Sequence, residues 1–158
     1  LIDYLLPGKN LYLIGTGTGL APWLSIVRDP DTYERFEKVV VVHGVRHVAE
    51  LAYHELLEKE LPNHELLGDI VRDKLIYYPT VTREPFRNQG RITDLITSGT
   101  FPANIGLPPL DPLTDRVMLC GSPAMLADLK VMLEKRNFEE GNTSTPGDFV
   151  IERAFVEK

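Results

Sequence analysis

Apolar positions along the chain switch repeatedly between the period of a strand and the period of a helix. Asn10–Ile14 is a short apolar run that ends in Gly15-Thr16-Gly17-Thr18-Gly19. Leu20–Arg28 then reads as a helix, with Pro22 tolerated in its first turn. Val39–Val45 is β-branched and apolar on both faces, which predicts a buried parallel strand. Val48–Leu61 carries apolar residues at 48, 51, 52, 56, 57 and 61, the spacing of one helical face, and Pro62-Asn63 stops it. Leu75–Val81 predicts a strand, Arg91–Ser98 a short helix, and the Pro- and Gly-rich Phe101–Asp115 a long surface loop. Val117–Cys120 predicts a further strand, and Pro123–Arg136 a helix with Ser122 as N-cap and Pro123 at its first position. The stripe Met125, Leu126, Leu129, Met132 and Leu133 assigns that helix's methionines to the core, and Phe149–Phe155 predicts a last strand.

Strands that alternate with helices in this way make an α/β fold: a doubly wound parallel sheet flanked by helices, Rossmann-like in plan. Such sheets bind ligands beyond the carboxyl ends of their strands. Site residues are therefore expected at Gly15–Gly19, His43–Arg46, Val81–Arg83 and Cys120–Ser122.

Length and composition add bounds. The 158 residues suit one domain with its own core, and 43% hydrophobic with 25% charged residues is ordinary globular usage. No apolar run approaches a membrane span. The net charge of −6 gives no footprint for nucleic acid. The single cysteine, Cys120, excludes an internal disulfide and a Cys-based zinc site, and suits a reducing cytoplasm. His43, His47, His54 and His64 lack metal-ligand spacing; His47 and His54 read as surface residues and His43 as a strand-end residue. No metal is expected. The opening Leu1-Ile2-Asp3-Tyr4 has neither Met nor a signal-peptide pattern, so the chain is expected to be a fragment.

The glycine loop lies between a strand and a helix, where backbone N–H groups and the helix dipole favour an anion such as a pyrophosphate. It departs from G-x-G-x-x-G, because position 20 is Leu20, and no Gly-Lys-Ser/Thr makes it a P-loop. A purely structural turn fits the same residues. After the second strand, where an NAD site usually places a carboxylate, the chain reads His43-Gly44-Val45-Arg46, with none before Glu50. Arg83 follows the third strand and Arg91 stands in Gly90-Arg91-Ile92. Forked guanidiniums suit a dianionic 2′-phosphate, which favours NADP; solvated surface charges are the alternative. Ser122 lacks a nucleophile-elbow context and reads as a helix cap.

Gly15–Pro22 (Gly-Thr-Gly-Thr-Gly-Leu-Ala-Pro), His43–Arg46, Thr82–Glu84, Gly90–Ile92, Cys120–Met125 and the terminal Ala154–Lys158 occur in order. Together they resemble the NADP-binding domain of bacterial ferredoxin/flavodoxin–NADP⁺ reductases. The resemblance implies that Gly15, Thr16, Gly17, Thr18, Gly19 and Ala21 belong to the pyrophosphate and nicotinamide side. It implies that Arg46, Arg83 and Arg91, with Thr82 nearby, hold the 2′-phosphate. Cys120, Gly121 and Ser122 would lie beside the nicotinamide and flavin, with Cys120 and Glu152 as the candidate catalytic positions. Ala154 stands where plant-type enzymes carry a flavin-stacking tyrosine, and Phe155 would run along FAD. Thr93 replaces the plant-type adenine-stacking tyrosine, for which Phe86 is a candidate substitute.

The resemblance further implies that residues 1–9 are a junction with an upstream FAD-binding barrel, and that 10–158 form the NADP domain with a flavin-facing C-terminal segment. The implied activity is hydride exchange between NADP(H) and FAD, with electron transfer to or from ferredoxin or flavodoxin, in a cytoplasmic monomer. The fragment alone is expected to be inactive. Two alternatives stay open. One is the nucleotide module of another flavin reductase, of flavohaemoglobin or oxygenase type; the other is a non-enzymatic nucleotide-binding module.

Overall fold

Successive residues of β1 (Asn10–Thr16) point to opposite sides and feed two separate cores. Tyr12 and Ile14 enter one cluster, Leu11 and Leu13 the other, and β2 (Lys38–Val45) does the same with Val40 and Val42 against Val39 and Val41. Each such side chain, fully buried, contributes about 1.5–3 kcal/mol. A strand apolar on both faces must be covered on both. In the computed structural model, which describes residues 1–152, helices do this.

One face is covered by α1 (Ala21–Arg28) and α2 (Pro30–Arg35), through Trp23, Val27 and Tyr33, and by α3 (Gly68–Lys74) through Val71. The other is covered by α4 (Ile92–Thr97), α5 (Thr100–Asn104) and α6 (Pro123–Lys135), through Ile92, Ile96, Phe101, Leu126, Leu129 and Leu133. With β3 (Leu75–Val81), β4 (Asp115–Cys120) and β5 (Phe149–Ile151), the sheet has the order β3-β2-β1-β4-β5. All four strand pairs are parallel. The chain runs outward from β1 to β3 and then returns past β1 to β4. The switch point therefore lies between β1 and β4, the expected doubly wound plan.

The structure corrects several element boundaries. Val48–Leu61 is not one helix: Val48–Glu50 is a 3₁₀ turn, Leu56–Glu60 a π-helical turn, and Tyr53 between them has φ 65°. Its apolar residues serve two different clusters. Leu51 packs with Val45 and Val81, whereas Leu57 and Leu61 join the core beneath α1, and a straight helix would not reach both. Phe101–Asp115 is not wholly loop, because Thr100–Asn104 is helical and buries Phe101 against Tyr12 and Tyr78. Two further helices, α2 and α3, were not expected. In α2, Asp29 caps the helix by accepting the Asp31 N–H at 2.9 Å; α3 stands directly before β3. Ser122 caps α6 as expected, its Oγ accepting the Met125 N–H at 3.4 Å. Of the segment Phe149–Phe155, Phe149–Ile151 is strand; residues 153–158 lie outside the described residues.

The first nine residues are fastened by a buried arginine. Arg116 donates from Nε to the Leu6 carbonyl at 3.1 Å and from Nη2 to the Pro7 carbonyl at 2.9 Å, and it pairs with Asp148 at 3.3 Å. Among the described residues no helix is long and apolar enough to cross a membrane.

Candidate functional site

The strand register fixes which residues share the carboxyl rim of the sheet. Gly15 lies opposite His43 on one side and Cys120 on the other, Thr16 opposite Gly44, and Val45 opposite Val81. Beyond that rim lies a cleft of about 710 Å³. Thr16, Gly17 and Thr18 line it from β1, with Gly44, Val45, Arg46 and Glu50 from the β2 side and Thr82 and Arg83 after β3. Gly90, Arg91 and Ile92 close it at the start of α4, and Gly121, Ser122, Ala124 and Met125 at the start of α6.

The glycine turn is built by backbone contacts. Gly17 has φ 57°, and its N–H donates to the Gly44 carbonyl at 3.0 Å. Gly15 and Gly19 are buried and do not line the cleft. A Cβ at Gly15 would stand 2.7 Å from the Gly19 carbonyl oxygen, and one at Gly19 would stand 2.9 Å from the backbone of Cys120 and Gly121. These two glycines let the turn fold onto the next strand; Gly17 and Thr18 face solvent. Ala21 opens α1, half-buried and outside the lining. No side chain caps that helix; Pro22 has no N–H and the Trp23 N–H donates to the Leu20 carbonyl at 3.0 Å, so what the helix start offers an anion is mainly its dipole. The Ser122 N–H donates to Thr16 Oγ1 at 3.3 Å and ties the two loops across the switch point.

The three arginines converge on this one cleft. Backbone hydrogen bonds set their bases side by side: Thr82 N–H to the Val45 carbonyl at 3.0 Å, and Arg83 N–H to the Arg46 carbonyl at 2.9 Å. Arg91 Nη2 lies 3.4 Å from Asp128 and 3.7 Å from Met125 Sδ. Among the described residues the Arg46 and Arg83 guanidiniums have no ion pair or hydrogen-bond partner. In a chain of net charge −6, two unpaired guanidiniums at one rim favour an anion there, with Glu50 as an opposing charge in the same lining.

Cys120 is fully buried among Met118, Val150 and Leu13, not in the cleft lining. Burial pushes its thiol up, and the Glu152 carboxylate pushes it further, against a lowering contact from the Gly121 backbone. The thiol is therefore protonated and shielded. Iodoacetamide at pH 8 should leave the folded chain unlabelled over minutes and alkylate it fully in denaturant; rapid labelling of the folded chain would contradict the burial. Glu152 follows β5, its N–H donating to the Leu119 carbonyl at 2.8 Å. Ala154 and Phe155 lie outside the described residues.

Several cleft residues were not singled out by the sequence. Met125, read as core, does pack against the core, but it is half-buried and also lines the cleft, with Sδ 3.7 Å from Arg91 Nη2. Glu50 was noted only as a late carboxylate, yet it lines the rim; its Oε1 accepts the His47 N–H at 2.9 Å. Gly44 lies inside the expected His43–Arg46 segment and carried a second signal, since glycine inside a β-branched strand marks a close approach. A Cβ there would meet Ile92 Cδ1 at 2.8 Å. His43, expected at a strand end, is fully buried with Nε2 2.8 Å from the Gly17 carbonyl. Phe86 is half-buried against Val45, Leu51 and Val81 and does not line the cleft; Thr93 lies outside it, in a shallow groove with Asp128 and Met132.

A family model described as the oxidoreductase NAD-binding domain matches residues 13–130. The chain is 59% identical over 157 residues to a ferredoxin–NADP reductase of Pseudomonas aeruginosa, covering 99% of this chain and 61% of that protein. It is also 59% identical over 155 residues to ferredoxin–NADP reductase A of Sorangium cellulosum, covering 98% of this chain and 56% of that one. Among solved structures, a ferredoxin NADP⁺ reductase from Neisseria gonorrhoeae with bound FAD and NADP superposes with a TM-score of 0.83 at 27% identity. That match covers 96% of this chain and 58% of the other. The chain thus spans about 60% of the length of these relatives.

Proposed function

This chain belongs to the oxidoreductase NAD-binding domain family, with ferredoxin–NADP reductases among its relatives, and we propose that it binds NADP(H) in the cleft at the switch point of its sheet. One observation carries the reading: a glycine turn and three arginines line the same cleft, and two of those arginines have no carboxylate partner among the described residues. A cleft of about 710 Å³ suits a small-molecule ligand. Thr16, Gly17 and Thr18, with the N-terminus of α1, take the diphosphate. Arg46, Arg83 and Arg91 take the 2′-phosphate, with Thr82 beside them. Gly121 and Ser122 shape the nicotinamide end. Cys120 supports that end from below as a buried neutral group, and Glu152 stands next to it.

The parent protein is proposed to be a ferredoxin/flavodoxin–NADP⁺ reductase. Its bound cofactors supply the chemistry, a hydride passing between NADPH and FAD and single electrons passing to or from ferredoxin or flavodoxin. The residues of this chain orient the nucleotide and neutralise its phosphates. In this reading residues 1–9 are the junction with an FAD-binding domain, and Ala154 and Phe155 are assigned to the flavin by the family resemblance alone. Without that domain the chain binds nucleotide but does not turn over. A monomer in the cytoplasm completes the proposal, a compartment that suits a lone thiol.

Calorimetric titration tests the central claim. NADP⁺ should bind about ten-fold or more tightly than NAD⁺, the lower value of a charge-assisted contact to the extra phosphate. Equal affinities would remove the 2′-phosphate assignment and favour a flavin reductase that uses NADH.

A further inference from the structure

Burying an imidazole costs free energy unless its ring nitrogens find partners. His43 is fully buried at the end of β2, and Nε2 lies 2.8 Å from the Gly17 carbonyl. A carbonyl only accepts, so Nε2 carries the proton and the neutral ring leaves Nδ1 as an acceptor. Burial favours that neutral form, against smaller opposing effects of the Gly17 carbonyl and the Glu50 charge. Among the described residues Nδ1 has no partner. A ring kept here with one nitrogen unsatisfied directs attention to what the other nitrogen holds.

It holds the outermost peptide of the glycine turn. Gly17 sits at φ 57° and faces solvent, and glycine permits the following peptide to rotate readily. The Gly17–Thr18 peptide is trans, so its C=O and N–H point in opposite directions. With the carbonyl held toward His43, the Thr18 N–H is turned away from the core. Among the described residues no backbone acceptor takes that N–H, and Thr18 lines the cleft.

We propose that His43 is a positioning residue: by donating its Nε2 proton to the Gly17 carbonyl it locks the Gly17–Thr18 peptide, so that the Thr18 N–H faces the cleft as a donor to the nucleotide diphosphate. The inference rests on the nucleotide reading above. Without the clamp the peptide can turn over and present a carbonyl oxygen to the phosphates, an acceptor where a donor is needed. His43 touches no ligand itself; it acts through Gly17.

Two substitutions of similar polarity separate this role from general structural support. The amide nitrogen of His43→Gln falls near the place of Nε2 and can still reach Gly17; that of His43→Asn falls near Nδ1 and cannot. Each is titrated with NADP⁺ and with 2′-AMP, which offers the arginines a phosphate but has no diphosphate. His43→Asn should bind NADP⁺ about ten-fold or more weakly, with 2′-AMP changed less than about two-fold, while His43→Gln stays within about three-fold of the parent for both. In the parent, the Thr18 amide proton should move downfield when NADP⁺ is added but not with 2′-AMP, a readout that needs no variant to fold. Unchanged NADP⁺ affinity in His43→Asn, equal loss in both variants, parallel loss of 2′-AMP, or a silent Thr18 amide would each overturn the proposal. If the parent bound neither nucleotide, the nucleotide reading itself would fall.

Discussion

Replacing Gly121 by alanine should lower the stability of the chain by about 2–4 kcal/mol and weaken NADP⁺ binding at the same time. Two effects add. Gly121 has φ 152°, a backbone conformation that side chains rarely adopt. A Cβ there would also stand 1.9 Å from Thr16 Oγ1 and 3.2 Å from the Thr16 backbone nitrogen. Thr16 is β-branched and short, so its hydroxyl moves only by changing rotamer. That movement gives up the bond from the Ser122 N–H, which ties the two loops across the switch point. For a domain of this size each kcal/mol corresponds to about 2–4 °C in Tm, so thermal denaturation resolves the change easily. Adding Thr16→Ala to Gly121→Ala should recover part of the loss, because it removes the clashing oxygen and leaves the backbone strain and the tight contacts with the residue-16 Cβ and nitrogen at 3.1 and 3.2 Å. An unchanged melting temperature in Gly121→Ala would show that the loops are not in contact as described.

The second large effect is on selectivity rather than stability. Arg83→Ala should weaken NADP⁺ binding by about 10- to 100-fold, the range of a charge-assisted hydrogen bond, and change NAD⁺ binding by less than about three-fold. Among the described residues the Arg83 side chain has no protein partner, so its removal leaves no buried group unsatisfied and the fold should melt as before. Arg83→Lys keeps the charge but loses the fork, and should fall between the parent and the alanine variant. Arg46→Ala should behave like Arg83→Ala. The double variant should lose less than the product of the single effects, because two guanidiniums on one dianion are coupled. Equal losses for the two nucleotides would show that Arg83 does not touch the 2′-phosphate. Arg91 already lies near Asp128, so its alanine variant should cost less than Arg83→Ala.

Much of the fold was legible in the sequence because strands buried on both faces cannot hide their composition. The run Val39–Val42 is apolar at every position, and all of it is buried. The glycine loop, Arg46, Arg83, Arg91 and the Ser122 cap could be found by their place after a strand or before a helix, since the doubly wound plan puts ligands at those ends. What failed was local and short. Helices of five to seven residues such as α3 and α5 have too few turns for a periodic stripe. The segment Val48–Leu61 had the right period, but its leucines are divided between two clusters, a division that only packing reveals.

The sequence by itself determined the alternation of strand and helix, the glycine turn and the excess of guanidinium over carboxylate in the segments after the strands. Those are properties of neighbours along the chain. Tertiary structure decided the rest, because parallel strands bring together residues that are far apart in sequence. It set Arg83 beside Arg46 and placed Gly121 against Thr16. It moved Cys120 from a cleft position into the core, and it set Met125, which packs against the core as expected, at the cleft wall as well. It also buried the strand-end residue His43 beneath the glycine turn, within hydrogen-bond distance of the Gly17 carbonyl.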